Sequence, residues 1–98
     1  MELRIAQSAL EDLQSIQEHY RKEGVPLIGD EYVTAILEQV DMLVRHPDAG
    51  RVVPEFGLNY IRELIHSPFR VVYLRQEVDV VLIRVWRSER QLELPEDE

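Results

Sequence analysis

Cysteine is absent from these 98 residues. Its absence removes disulfides, thiolate metal sites and cysteine nucleophiles together, and it suits a reducing cytoplasm. Lysine is nearly absent too: Lys22 stands alone beside ten arginines. Long apolar runs are missing. Met1-Glu2-Leu3-Arg4-Ile5 has no stretch of signal-peptide length, and Val80-Val81-Leu82-Ile83 is far too short to span a bilayer, so no membrane role is expected. His19, His46 and His66 are too scattered to form a metal site by spacing. There is no phosphate loop, no H-E-x-x-H, no nucleophile elbow and no dinucleotide fingerprint, so neither metal nor cofactor is expected.

What is present fits one domain over 1–98, with an apolar fraction of 45% and a charged fraction of 31%. A chain of this size buries about two-thirds of its unfolded surface, enough to fold without staples. Net charge is −8, which argues against a polyanionic ligand, yet the charge is uneven. Residues 1–50 hold four basic and ten acidic groups, a net −6. Residues 51–92 hold seven arginines against five acids, a net +2, and the tail 93–98 adds four acids. The second half therefore reads as a locally basic, all-arginine module. Guanidinium forks match phosphates and carboxylates bidentately, but the same residues serve equally as solvated strand-face groups.

Hydrophobic periodicity divides the chain at Gly50. Leu3–Ala6 reads as a short strand. Ser8-Ala9-Leu10-Glu11 has the form of a capping box that opens a helix over 8–23, with Leu10, Leu13, Ile16 and Tyr20 along one face. Gly24 suits its left-handed end. A second helix begins between Pro26 and Asp30, buries Val33, Ile36, Leu37, Val40, Leu43 and Val44, and ends near Arg45 before Pro47. Beyond Gly50 the period becomes two: 51–55, 61–66, 69–74 and 78–86 read as strands, the last three in an antiparallel meander. The fold class expected is α+β, a two-helix hairpin covering one face of a mainly antiparallel sheet.

One constellation carries more than fold. Gly50-Arg51-x-x-Pro54-Glu55 is followed by Arg62-Glu63-Leu64, by Phe69-Arg70-Val71-Val72-Tyr73, and by Ile83-x-Val85 with Arg87 and Arg90. In this order, behind a helical hairpin, the set resembles the RelE/ParE superfamily of bacterial type II toxin–antitoxin systems. The resemblance covers the chain from its first strand to about Leu92, with Phe69 where tyrosine is usual. It implies a compact cytoplasmic toxin neutralised by a cognate antitoxin. Members of the superfamily either cut mRNA on the ribosome or, in the ParE branch, poison DNA gyrase. The antitoxin is expected on the hairpin or an outer strand, its basic residues meeting the acids of residues 1–50.

RNA cleavage through the 2′-hydroxyl needs a base, cations around the phosphate and an acid for the leaving oxygen. The resemblance makes Glu55 the base and Arg70 the phosphate-holding cation, with Arg62 a neighbouring basic position; His66 and Arg87 are further candidates. The departure lies at Val85-Trp86-Arg87-Ser88-Glu89-Arg90, where many relatives carry a histidine or tyrosine acid. Arginine, with a pKa above about 12, cannot supply that proton. This gap and the net charge favour a gyrase-directed or catalytically silent toxin over a metal-independent endoribonuclease, with a pure antitoxin-binding module as the third reading. With Phe69, Val71 and Tyr73 as the core side of its strand, Arg70 is expected on a concave face shared with Arg62. There it is either paired internally, with Glu55 or Glu63, or kept to hold an anion, and the functional role is the one expected.

Overall fold

The computed structural model describes residues 1–88. The elements run β1 (Glu2–Ile5), α1 (Gln7–Lys22), α2 (Pro26–Asp41), a 3-10 turn (Met42–Val44), β2 (Arg51–Val52), β3 (Ile61–His66), β4 (Phe69–Arg75) and β5 (Asp79–Arg87). The sheet order is β1-β5-β4-β3-β2, antiparallel throughout except that β1 runs parallel to β5. The expected α+β architecture is the observed one. β1, β3, β4 and β5 fall within one residue of their expected limits at each end, the last three because each is bounded by turn residues and filled by β-branched and aromatic side chains.

Four local expectations are corrected. The Ser8–Glu11 capping box does not form: Ala6 is the N-cap of α1 and makes no side-chain cap, and the Ser8 hydroxyl donates instead to the Ile83 carbonyl at 2.6 Å. Leu10 is exposed, and the buried stripe runs Ala9, Leu13, Ile16, because the small Ala9 lets the helix lie close against the sheet. The α-helical part of α2 stops at Asp41 and tightens into the 3-10 turn, four residues before Arg45. The expected strand 51–55 is only two residues long, since Val53 onward turns back: the Phe56 and Gly57 amides both donate to the Val53 carbonyl.

Between the helices, Gly24 takes φ +83°, its amide donates to the Arg21 carbonyl and the Val25 amide to the Tyr20 carbonyl. This is the reciprocal Schellman closure that a left-handed glycine permits. The chain then reverses, and Gly29 of α2 meets α1 so closely that an added Cβ would lie 3.0 Å from the Tyr20 Cβ.

Both helices pack on the same face of the sheet. Ala9, Leu13 and Ile16 of α1 and Ile36 and Val40 of α2 share a core with Leu64, Phe69, Val71, Tyr73, Val80, Leu82 and Val85. The two-residue turn between β3 and β4 sets His66 opposite Phe69, so that Leu64 faces Val71 and Arg62 faces Tyr73. Directly paired residues share a sheet face. Arg62 and His66 therefore belong to the helix-covered face, whereas Arg70, paired with Ile65, belongs to the open face with Glu63 and Val72. The expectation that Arg70 and Arg62 share a face is overturned by this register.

Candidate functional site

The open face carries a line of four charges. Arg51 of β2 lies opposite Glu63 of β3, and its Nε donates to Glu63 Oε2 at 2.7 Å. The other oxygen, Oε1, accepts from Arg70 Nε of β4 at 2.6 Å. The remaining fork of Arg70 closes on Glu55, Nη1 to Oε2 and Nη2 to Oε1, both at 2.8 Å. Glu63 retains 1% of its exposure and Arg70 6%, so two opposite charges are taken out of water together. Burial of this kind is tolerable only where the groups are paired and hydrogen-bonded, as they are here.

Glu55 approaches from the turn that follows β2, where Pro54 bars further strand pairing and Gly57 takes φ +65°. The guanidinium of Arg70, through its hydrogen bonds, holds the Glu55 carboxyl down at about 2, against a smaller upward push from burial. The same bonds, chiefly from Glu55, raise the Arg70 pKa. At neutral pH this carboxylate is anionic but a very weak base, with both oxygens engaged by one cation.

The other candidates lie elsewhere. Arg62 ties down loops: its Nε donates to the Asn59 carbonyl and its Nη1 to the Gly50 carbonyl, each at 2.9 Å, and Asp48 lies at 3.7 Å. Beside it the buried Tyr73 hydroxyl donates to the Pro47 carbonyl at 2.8 Å and accepts from the Gly50 amide at 2.9 Å. Burial raises the Tyr73 pKa. Gly50 is required there, since a Cβ would sit 2.6 Å from the Glu63 carbonyl and 2.7 Å from the Tyr73 ring. His66 Nδ1 lies 3.2 Å from Gln39 Oε1 of α2, with its ring edge-on to Tyr32. Arg87 stacks over Phe69 at 5.6 Å and reaches the Tyr20 hydroxyl at 3.4 Å. The structure thus brings Glu55 and Arg70 together and leaves Arg62, His66 and Arg87 on the other side of the sheet. Arg90 lies outside the described residues.

Two features escaped the sequence. Glu63 is the hub of the charge line, whereas the sequence offered it only as one alternative internal partner of Arg70. Asp12 of α1 caps β5: its Oδ2 accepts from the Val85 amide and from Arg84 Nε, both at 2.8 Å, and Oδ1 from Arg84 Nη2 at 3.2 Å. Asp12, Ile16, His19, Tyr20, Trp86 and Arg87 line a groove of about 200 Å³ between α1 and this strand. Arg84 also lies 5.0 Å over the Trp86 ring, and Asp12 raises its pKa.

The arginines of the sheet are largely self-neutralised. Arg4 meets Asp79, Arg51 and Arg70 meet Glu63, Arg62 and Arg75 meet Asp48, and Arg84 meets Asp12. The locally basic module of the sequence is not a basic surface in the fold, because carboxylates from both halves of the chain fold onto it. Among the described residues, no group of three or more His, Cys, Asp or Glu converges as metal ligands would, and no helix is long and apolar enough to cross a membrane.

An antiparallel meander closed by a parallel N-terminal strand, roofed by a helical hairpin and crossed by an arginine–glutamate line, defines a small α+β protein of the RelE/ParE type. The family described as the ParE toxin of the type II toxin–antitoxin system parDE matches residues 3–92, and the chain belongs to that family. A solved structure, the chromosomal ParDE toxin–antitoxin system from P. aeruginosa, is similar over 89% of this chain and 95% of that one, with 27% identity and a TM-score of 0.74. No curated protein matches.

Proposed function

We propose that this chain is the toxin of a two-protein module and that it acts by binding its target, DNA gyrase, rather than by cutting RNA. The bidentate capture of Glu55 by Arg70 carries the second half of that reading. An endoribonuclease of this type would need Glu55 as a base and Arg70 as a phosphate ligand, and here each occupies the other. The neighbouring geometry supports the same reading. His66, the nearest substitute for the missing proton donor, belongs to the opposite face and contacts Gln39. Membership in the ParE family supports gyrase as the target class.

Induced expression without antitoxin is expected to arrest growth with filamentation and intact mRNA, and the purified chain to inhibit supercoiling by gyrase. Ribosome-dependent mRNA cleavage that disappears in Glu55→Gln would overturn the binding reading. Growth unaffected by the wild-type chain would overturn the toxin reading itself.

A further inference from the structure

The loop that carries Glu55 also carries an apolar cluster. Between Phe56 and Tyr60 three of five residues are large and apolar, and all stand in water: Phe56 is 50% exposed, Leu58 42% and Tyr60 49%. Apolar side chains grouped in this way mark a contact surface, unlike the scattered exposure of any soluble protein. The loop beneath them is not slack. The Phe56 and Gly57 amides converge on the Val53 carbonyl, and Gly57 takes φ +65°. The Leu58 carbonyl accepts from the Ile61 amide at 3.1 Å, the Asn59 carbonyl from Arg62 Nε at 2.9 Å and the Tyr60 carbonyl from the Arg75 amide at 2.8 Å. At the base, Arg70 holds both Glu55 oxygens on the sheet face away from the helices. The backbone is thus anchored at successive residues while the apolar side chains stay uncovered. A contact made by such a loop forfeits little conformational entropy.

We infer that Phe56, Leu58 and Tyr60 are the anchors by which this chain grips its protein target, an inference that rests on the gyrase reading above. Aromatic side chains held in fixed positions are the usual energetic centre of a protein interface. Charge selects the occupant. An enzyme that handles DNA works beside a polyanion, which repels an acidic body. The helices α1 and α2 together hold seven acids against two bases. Beside the loop the balance is reversed, since Arg62 and Arg75 share the Asp48 carboxylate. The field of a DNA-bound target therefore turns the hairpin away and the loop inward. A second copy of the chain is the poorer occupant. The patch exposes on the order of 300 Å² of apolar surface, against about 800 Å² per partner in a stable interface. A two-fold dimer would have only that patch on both sides, whereas a larger protein can close over its rim as well.

The test titrates purified DNA gyrase, with plasmid DNA present, into the fluorescein-labelled chain and follows anisotropy. Phe56→Ser/Tyr60→Ser and, separately, Leu58→Asp are expected to weaken binding about tenfold or more, with the urea midpoint of the chain unchanged. Leu27→Ser, at a residue 72% exposed on α2, is expected to leave binding as it is. Binding by both loop variants equal to that of the wild type would overturn the inference and leave the gyrase reading standing. An equal loss in Leu27→Ser, or a loss matched by a fall in the urea midpoint, would overturn it too. So would a wild-type dimer in light scattering that Leu58→Asp dissolves. A wild-type chain that does not bind gyrase at all would overturn the gyrase reading and this inference with it.

Discussion

Replacing Arg70 with alanine removes the central member of the charge line and leaves its neighbours differently exposed. Among the described residues, Glu63, with no side-chain exposure, keeps the bond from Arg51, whose own side chain is 59% exposed. Breaking a buried pair from one side costs about 3–5 kcal/mol, and the surviving Arg51 contact places this site near the lower figure. Glu55, 42% exposed, can turn to water, so its share is no more than about 1 kcal/mol. The expected loss is about 3–4 kcal/mol, a large part of the roughly 5–15 kcal/mol available to a small domain. With a denaturant slope of about 1.5 kcal/mol/M, the urea midpoint should fall by about 2 M. Circular dichroism during urea unfolding measures this directly, and growth inhibition should decline only as the folded fraction declines. The order of the single changes is the sharper check: Glu63→Ala should cost clearly more than Glu55→Ala. An Arg70→Ala protein with an unchanged midpoint, or Glu55→Ala as the costlier change, would refute the assignment of the line to stability.

The depressed Glu55 carboxyl adds stability at any pH above its unfolded value of 4.5, and this is lost as pH falls towards about 2. Acid unfolding followed by tryptophan fluorescence should therefore be less steep between about pH 4.5 and 2 in Glu55→Gln than in wild type. Tyr73→Phe leaves the Pro47 carbonyl and the Gly50 amide without their partner, and should lower stability by about 1–3 kcal/mol in the same urea assay. Asp12→Ala uncaps the Val85 amide and unpairs Arg84; a loss of about 1–3 kcal/mol is expected, with new self-association by light scattering as the β5 edge opens.

The helices and the meander were legible because they are repetitive: stripes at helical spacing and β-rich runs between turns are properties of neighbouring residues. The first-turn geometry of α1 was not. Ser8 has the right residue type for a cap, but a strand 75 positions away claims its hydroxyl. The faces of Arg62 and Arg70 turn on how β3 and β4 align. The two-residue Ser67-Pro68 connection contained that answer, since it pairs even positions of β3 with odd positions of β4. Glu63 was underweighted for another reason. A glutamate between arginine and leucine resembles any exposed strand residue until Arg51 and Arg70 are seen closing over it from either side.

The parallel pairing of β1 with β5 fixes an order of events during synthesis. Of the described elements β1 is made first, yet the strand it pairs with among them, β5, is made last, and the Arg4–Asp79 and Ser8–Ile83 contacts each span 75 positions. At elongation rates of about 5–20 residues per second, that partner follows about 4–15 s later. Until then the helical hairpin can form from local contacts, but the floor beneath it is incomplete and β1 has no strand partner. A nascent chain interrupted before Asp79 thus carries the helices and most of the meander without the strand that joins them to the N-terminus. The sheet described here closes only once β5 has been made.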